Sequence, residues 1–325
     1  MAYTAIDDPE AYFRIKLYTG DGSQQAITFD TTDTSMQPDF LWFKSRNQAQ
    51  PHGLYDSIRG VNKSLRSNDS SVEETSTSMS AINSNGFTVE NNGKTGENAN
   101  NYVAWCWKES ATAGFDIVTY TGNETNRTIS HSLSAVPNIV LVKNRGSVTE
   151  WQMYHPSLGN TKYLQLDTNF AAETNSNRWQ DTTPTSSVFS IGTHDNVNKN
   201  GDGIVAYLWS EKQGFSKFGS YTGNGNADGA FVYTGFRPAF VMTKSADSSS
   251  SWHMFDNKRE GYNVDNDPLV ADATTVEATT DMIDLLSNGF KIRISTDPNV
   301  AETYIYAAFA EAPFVNSNGV PCNAR

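Results

Sequence analysis

Four sequence landmarks run through this 325-residue chain three times, in the same order. Tyr18-Thr19-Gly20 returns as Tyr120-Thr121-Gly122 and as Tyr221-Thr222-Gly223, at offsets of 102 and 101 residues. A proline-initiated apolar run ending in lysine follows as Pro38 to Lys44, Pro137 to Lys143 and Pro238 to Lys244. Next come Ser84-Asn85-Gly86-Phe87 and Ser287-Asn288-Gly289-Phe290, with a weaker middle copy at Ser186-Ser187-Val188-Phe189. Each copy closes on a strand-like run: Tyr102 to Trp107, Ile204 to Trp209 and Tyr304 to Phe309. A period near 100 residues is longer than the roughly 20–50 residues of solenoid and propeller units, so each copy is long enough for a core of its own.

Within a copy, short runs rich in Val, Ile, Phe and Tyr alternate with Asn-Gly, Gly-Asp and Ser-rich turns, and no stretch carries a sustained helical period. The expected fold is all-β: three tandem antiparallel β-sandwich modules, jelly-roll-like, spanning 1–110, 111–213 and 214–325. The joints, near Glu109 to Ala113 and Lys212 to Gly214, are short, so neighbouring modules should pack closely, and modules in series would make a rigid rod.

Composition narrows the function. Acidic residues outnumber basic ones 36 to 24, a net charge of −12, which argues against nucleic acid and against an anionic membrane surface as partners. No apolar stretch is long enough to span a bilayer, so no membrane insertion is expected. The first ten residues lack a basic and an apolar region, which reads as synthesis in a cytoplasm without a signal peptide. There is no phosphate-binding glycine loop, no His-Glu-x-x-His and no Cys-x-x-Cys, so no cofactor, no metal and no catalytic residue is assigned.

The three copies also act as an internal substitution experiment. Cys106 stands where the others carry Leu208 and Ala308, so it reads as a small apolar side chain; Cys322 has no counterpart. Lys44, Lys143 and Lys244 recur, as do Glu109, Glu211 and Glu311, each at the end of an apolar strand. These read as structural rim residues, paired within each module. Asp56 and Arg59 recur as Asp256 and Arg259 but give way to His155 and Leu158 in the middle copy, as a turn-stabilising pair would. Trp151 and Trp252, with His253, are the weak candidates for ligand binding, since an exposed indole can stack on a sugar face; buried packing is the competing role.

The opening Ile6-Asp7-Asp8-Pro9 with Tyr12-Phe13, then Leu17 to Gly22, resembles repeat modules in virion-associated proteins of marine bacteriophages, cyanophages and their relatives. Tyr102 to Lys108 and Ala308 to Phe314 are similar to that family too. The resemblance implies a non-enzymatic virion surface protein, a tail fibre or tail-tip component in host attachment. The alternatives are a capsid decoration or head-fibre protein, and a tailspike glycan depolymerase. It further implies other tail or capsid proteins as partners, a host surface glycan or protein as receptor, and a homo-oligomer, a trimer by analogy with fibres.

Overall fold

The computed structural model, which describes residues 3–30, 34–259, 263 and 267–322, is nearly all β, in several antiparallel sheets. Each repeat builds one large sheet in a common order: opening strand, closing strand, proline-initiated strand, short outer strand. In repeat 1 these are Phe13–Thr19, Asn101–Trp107, Phe40–Ser45 and Gly53–Asp56; in repeat 2, Phe115–Thr121, Gly203–Trp209, Ile139–Asn144 and Gln152–Tyr154. Repeat 3 uses Ser216–Thr222, Thr303–Pro313, Phe236–Ser245 and His253–Asp256, with Leu269–Val270 added at the edge.

A smaller sheet belongs to each repeat. In repeat 1 it comprises Gln25–Thr28, Gly86–Val89 and Met79–Asn83, and in repeat 3, Phe231–Tyr233, Gly289–Ile292 and Ile283–Leu286. Repeat 2 retains two strands, Arg127–Ser130 and Val188–Ile191, and has the one-turn helix Ser176–Trp179, capped by Asn175, in place of the third. In the other two repeats the hairpin turns on Ser84-Asn85 and Ser287-Asn288, with Gly86 and Gly289 opening the next strand, whereas repeat 2 carries Ser186-Ser187-Val188 there.

The closing strand lies inside each large sheet, so both of its faces are buried. Side chains alternate between them. Ala104 and Cys106 face the small sheet of their own repeat, in a core with Ile27, Phe43 and Phe87. Leu208 and Ala308 occupy the matching cores of repeats 2 and 3. Val103, Trp105 and Trp107 face the other way, into a core shared by the whole molecule. There they meet Tyr207 and Trp209 of repeat 2 and Phe240 and Phe309 of repeat 3. The three large sheets therefore converge on one aromatic centre. A rod of modules in series is ruled out, because the richest apolar face of each repeat is buried only by the other two.

The Tyr-Thr-Gly landmark has a packing explanation. The hydroxyls of Tyr18, Tyr120 and Tyr221 donate to the carbonyls of Thr95, Val197 and Pro298, just ahead of each closing strand. The rings of Tyr18, Tyr120 and Tyr221 sit edge-on to Phe87, Phe189 and Phe290. The glycine two residues later lets that same loop approach: a Cβ on Gly20, Gly122 or Gly223 would lie 2.3, 2.0 or 2.0 Å from the carbonyl oxygen of Glu97, Lys199 or Val300.

Candidate functional site

The chemistry-bearing residues that recur are gathered at the seams between repeats. Where repeat 2 meets repeat 1, Asp56 lies with its side chain fully buried. Its Oδ1 accepts from the Arg59 backbone N–H at 2.7 Å, and its Oδ2 accepts from Arg59 Nε at 2.5 Å and from the Tyr207 hydroxyl at 2.6 Å. Arg59 reaches on to Glu73 at 3.1 Å, and Glu73 is held across the seam by Arg145 at 2.8 and 2.9 Å. Two carboxylates and two guanidiniums form a neutral quartet. Although burial raises the Glu73 pKa, the hydrogen bonds and charges of Arg145 and Arg59 outweigh it and keep the group below the usual carboxylate range.

The seam between repeats 3 and 1 repeats the arrangement. Trp105 Nε1 donates to Asp256 Oδ2 at 3.0 Å, Arg259 Nε to the same oxygen at 2.7 Å, and Glu277 bridges Arg259 and Arg46, each at 2.8 Å. The seam between repeats 2 and 3 replaces every member at once. Leu158, Ala172, Ala246 and Ala307 stand at the positions of Arg59, Glu73, Arg145 and Tyr207, and His155 stands at that of Asp56, its Nε2 lying 3.3 Å from the Tyr306 carbonyl. The backbone bond at the seam survives the exchange. Glu73 N to Arg145 O, Ala172 N to Ala246 O and Glu277 N to Arg46 O are equivalent, at 3.0, 2.9 and 2.8 Å. The Asp-x-x-Arg pair thus stabilises its turn as expected and, beyond that, receives the neighbouring repeat. Arg46, Arg145, Glu73 and Glu277 were not singled out in the sequence. Their signal was joint absence, since Ala172 and Ala246 replace both partners at the same seam.

Trp151, Trp252 and His253 are buried, with 0%, 1% and 8% exposure, so they offer no face to a ligand. The indoles are seam anchors instead. Trp151 Nε1 donates to the Arg66 carbonyl of repeat 1 at 2.7 Å, and Trp252 Nε1 to the Gln165 carbonyl of repeat 2 at 2.9 Å. His52, in the same slot of repeat 1, closes the ring: its Nε2 is 3.0 Å from the Val270 carbonyl of repeat 3, while Nδ1 accepts from Trp42 Nε1 at 2.8 Å. Those two bonds require the neutral ring with its proton on Nε2, and burial holds its pKa down at about 3.

Lys44, Lys143 and Lys244 do not pair with Glu109, Glu211 and Glu311. Lys44 is opposite Val103, and Glu109 lies six residues further along that strand, which places the two about 20 Å apart at opposite ends of the sheet. All three lysines are fully buried and donate to loop carbonyls. Lys44 reaches Ser45 and Thr274, Lys143 reaches Ser70 and Thr149, and Lys244 reaches Ser245 and Ser248. Burial pulls their pKa values down from 10.5 to about 8. Glu211 pairs with Lys217 at 2.8 Å and Glu311 with Arg237 at 3.6 Å. Glu109 instead faces Asp116, and burial followed by that hydrogen bond raises its pKa to about 7.

Cys106 is buried, and burial pushes its thiol pKa up, as befits an apolar filler; Cys322 is an exposed free thiol. An open cleft of about 390 Å³ includes Arg14, Lys16 and Lys258 in its lining, and their charges are met there by Glu10 and Asp30. No helix among the described residues is long and apolar enough to cross a membrane.

Neither the curated proteins nor the solved structures contain a match to the chain. One family profile matches, described as a domain of unknown function, DUF7483, and its match over residues 8–313 runs through all three repeats and both joints. By that match, the chain belongs to the DUF7483 family.

Proposed function

We propose that this chain is a non-catalytic virion surface protein, a tail-fibre or tail-tip component that presents loops to the host. The observation that carries the reading is the closed ring of seams. One chain supplies a pseudo-threefold platform, and the recurring Asp, Arg, Glu, Lys and Trp side chains are consumed in holding it together. A rigid platform with variable surface loops suits recognition. Its internal threefold suits docking on a threefold-symmetric assembly, so one copy per trimeric fibre fits as well as a homotrimer. The resemblance of Ile6 to Gly22 and of Tyr102 to Lys108 to marine-phage virion modules supplies the virion context. We infer further that each repeat is a jelly-roll-like sandwich, a large sheet against a smaller one.

The test is gold-labelled antibody on intact virions viewed by electron microscopy. Label confined to the tail end supports attachment. Label spread over the head replaces this reading with a capsid decoration protein, and absence of label removes the virion assignment.

A further inference from the structure

The outer face of the small sheet in repeat 3 differs from its two counterparts. The edge strand Phe231–Tyr233 buries Val232 and leaves Phe231 and Tyr233 48% and 54% exposed. At the matching edge positions repeat 1 carries Ala26 and Thr28, and repeat 2 carries Thr128 and Ser130. The fold therefore accommodates small or polar residues there, and in repeat 3 the Tyr233 hydroxyl additionally meets that of Tyr3 beside Gly235.

Tyr233 is opposite Gly289, which offers no side chain, and the Phe231 ring leans over that glycine, its Cε2 3.2 Å from where a Cβ would be. Phe231 is opposite Lys291, which pairs with Asp228, while Asp284 beyond it pairs with Arg293 at 3.1 Å. The exposed apolar pair is thus fringed by donors and acceptors of both signs with no net charge.

We infer that Phe231 and Tyr233 form a stacking platform for a neutral sugar ring of a glycan. The two half-exposed rings present about 200 Å² of apolar surface, far below the roughly 800 Å² per partner that a stable protein interface buries. That area matches the face of one or two sugar rings, whose C–H faces stack on aromatics while their hydroxyls meet the fringe. The balanced charge favours an uncharged sugar over an acidic one. The assignment rests on the attachment reading only for its biological sense: virion labelling tests that reading, and glycoside binding tests this one.

The experiment is saturation-transfer NMR on the full chain, irradiating aromatic protons. The probes are the methyl glycosides of glucose, galactose, mannose and N-acetylglucosamine, each at about 10 mM, where millimolar binding registers. The comparison variant is Phe231→Thr with Tyr233→Ser, which installs the residues repeat 2 carries in the same register. The expected result is transfer to the sugar ring protons of at least one glycoside, falling roughly tenfold in the variant, while the variant still melts in a cooperative transition well above the temperature of the experiment. Equal transfer to both proteins, or no transfer from the wild-type chain to any of the four, overturns the inference. So does capture of an extended peptide on this edge with no response to any glycoside.

Discussion

Removing the charge of Asp56 tests the seam most sharply. Asp56→Asn keeps an acceptor for the Arg59 backbone N–H at Oδ1 but puts an amide nitrogen where Oδ2 accepts from the Tyr207 hydroxyl and Arg59 Nε. It leaves the quartet with two guanidiniums and one carboxylate, around an Arg59 side chain that is fully buried. An uncompensated buried charge costs about 3–5 kcal/mol. With an unfolding entropy of about 2.1 cal/mol/K per residue, that is a fall in melting temperature of about 4–7 °C. Adding Arg59→Leu, the residue that repeat 2 carries at this position, restores neutrality, because Glu73 then faces Arg145 alone. The double variant should therefore be more stable than Asp56→Asn by at least about 2 kcal/mol, read by urea denaturation and thermal melting. Additive losses would refute the quartet as a coupled unit and leave Asp56 and Arg59 as a local turn.

Three further outcomes are expected. Gly122→Ala should cost about 3 kcal/mol or more in denaturant unfolding, because its Cβ would lie 2.0 Å from the Lys199 carbonyl oxygen, and a loss below about 1 kcal/mol would show that this loop yields. Burial lowers the pKa values of Lys44, Lys143 and Lys244 to about 8, so between pH 8 and 10.5 the unfolded chain binds more protons and stability should rise with pH. Lys244→Met should flatten that rise between about pH 8 and 9.5, and an unchanged slope would count against the shift. Buried His52 and His155 have pKa values of about 3 and about 4 against 6.5, so their share of stability is lost as pH falls from 6.5 toward 4. His155→Asn should reduce that loss in melts followed down to about pH 4.5; the same acid slope in both proteins would contradict it.

Much of the fold was legible because the repeat shows which side chains can vary. Cys106 against Leu208 and Ala308 marked an apolar position, and the phase of Val103, Trp105 and Trp107 marked a core face. What stayed hidden was which core. Alternation tells that a side chain points into apolar surroundings and not whether its own repeat or another supplies them, so the shared centre was read as three separate ones. Phase also does not report the end of a strand at which a residue lies, and for that reason Lys44 and Glu109 were matched although the register separates them. Asp56 and Arg59 are three residues apart and explain each other locally. Their third partner, Tyr207, is 151 residues away and visible only through the concerted exchange for Leu158, Ala172, Ala246 and Ala307 at one seam. For Trp151 and Trp252 sugar stacking stood beside buried packing because an indole carries no mark of burial, and the structure shows the packing role, whereas Phe231 and Tyr233 are marked by Ala26, Thr28, Thr128 and Ser130 in the other copies.

The central claim is that three repeats fold as one body around a common core. Scanning calorimetry of the full chain tests it directly, by comparing the calorimetric enthalpy with the van't Hoff enthalpy. A shared core closed by three seams predicts one transition with a ratio of about 1. Separate transitions, or a calorimetric enthalpy about three times the van't Hoff value, would show three modules melting independently and contradict it.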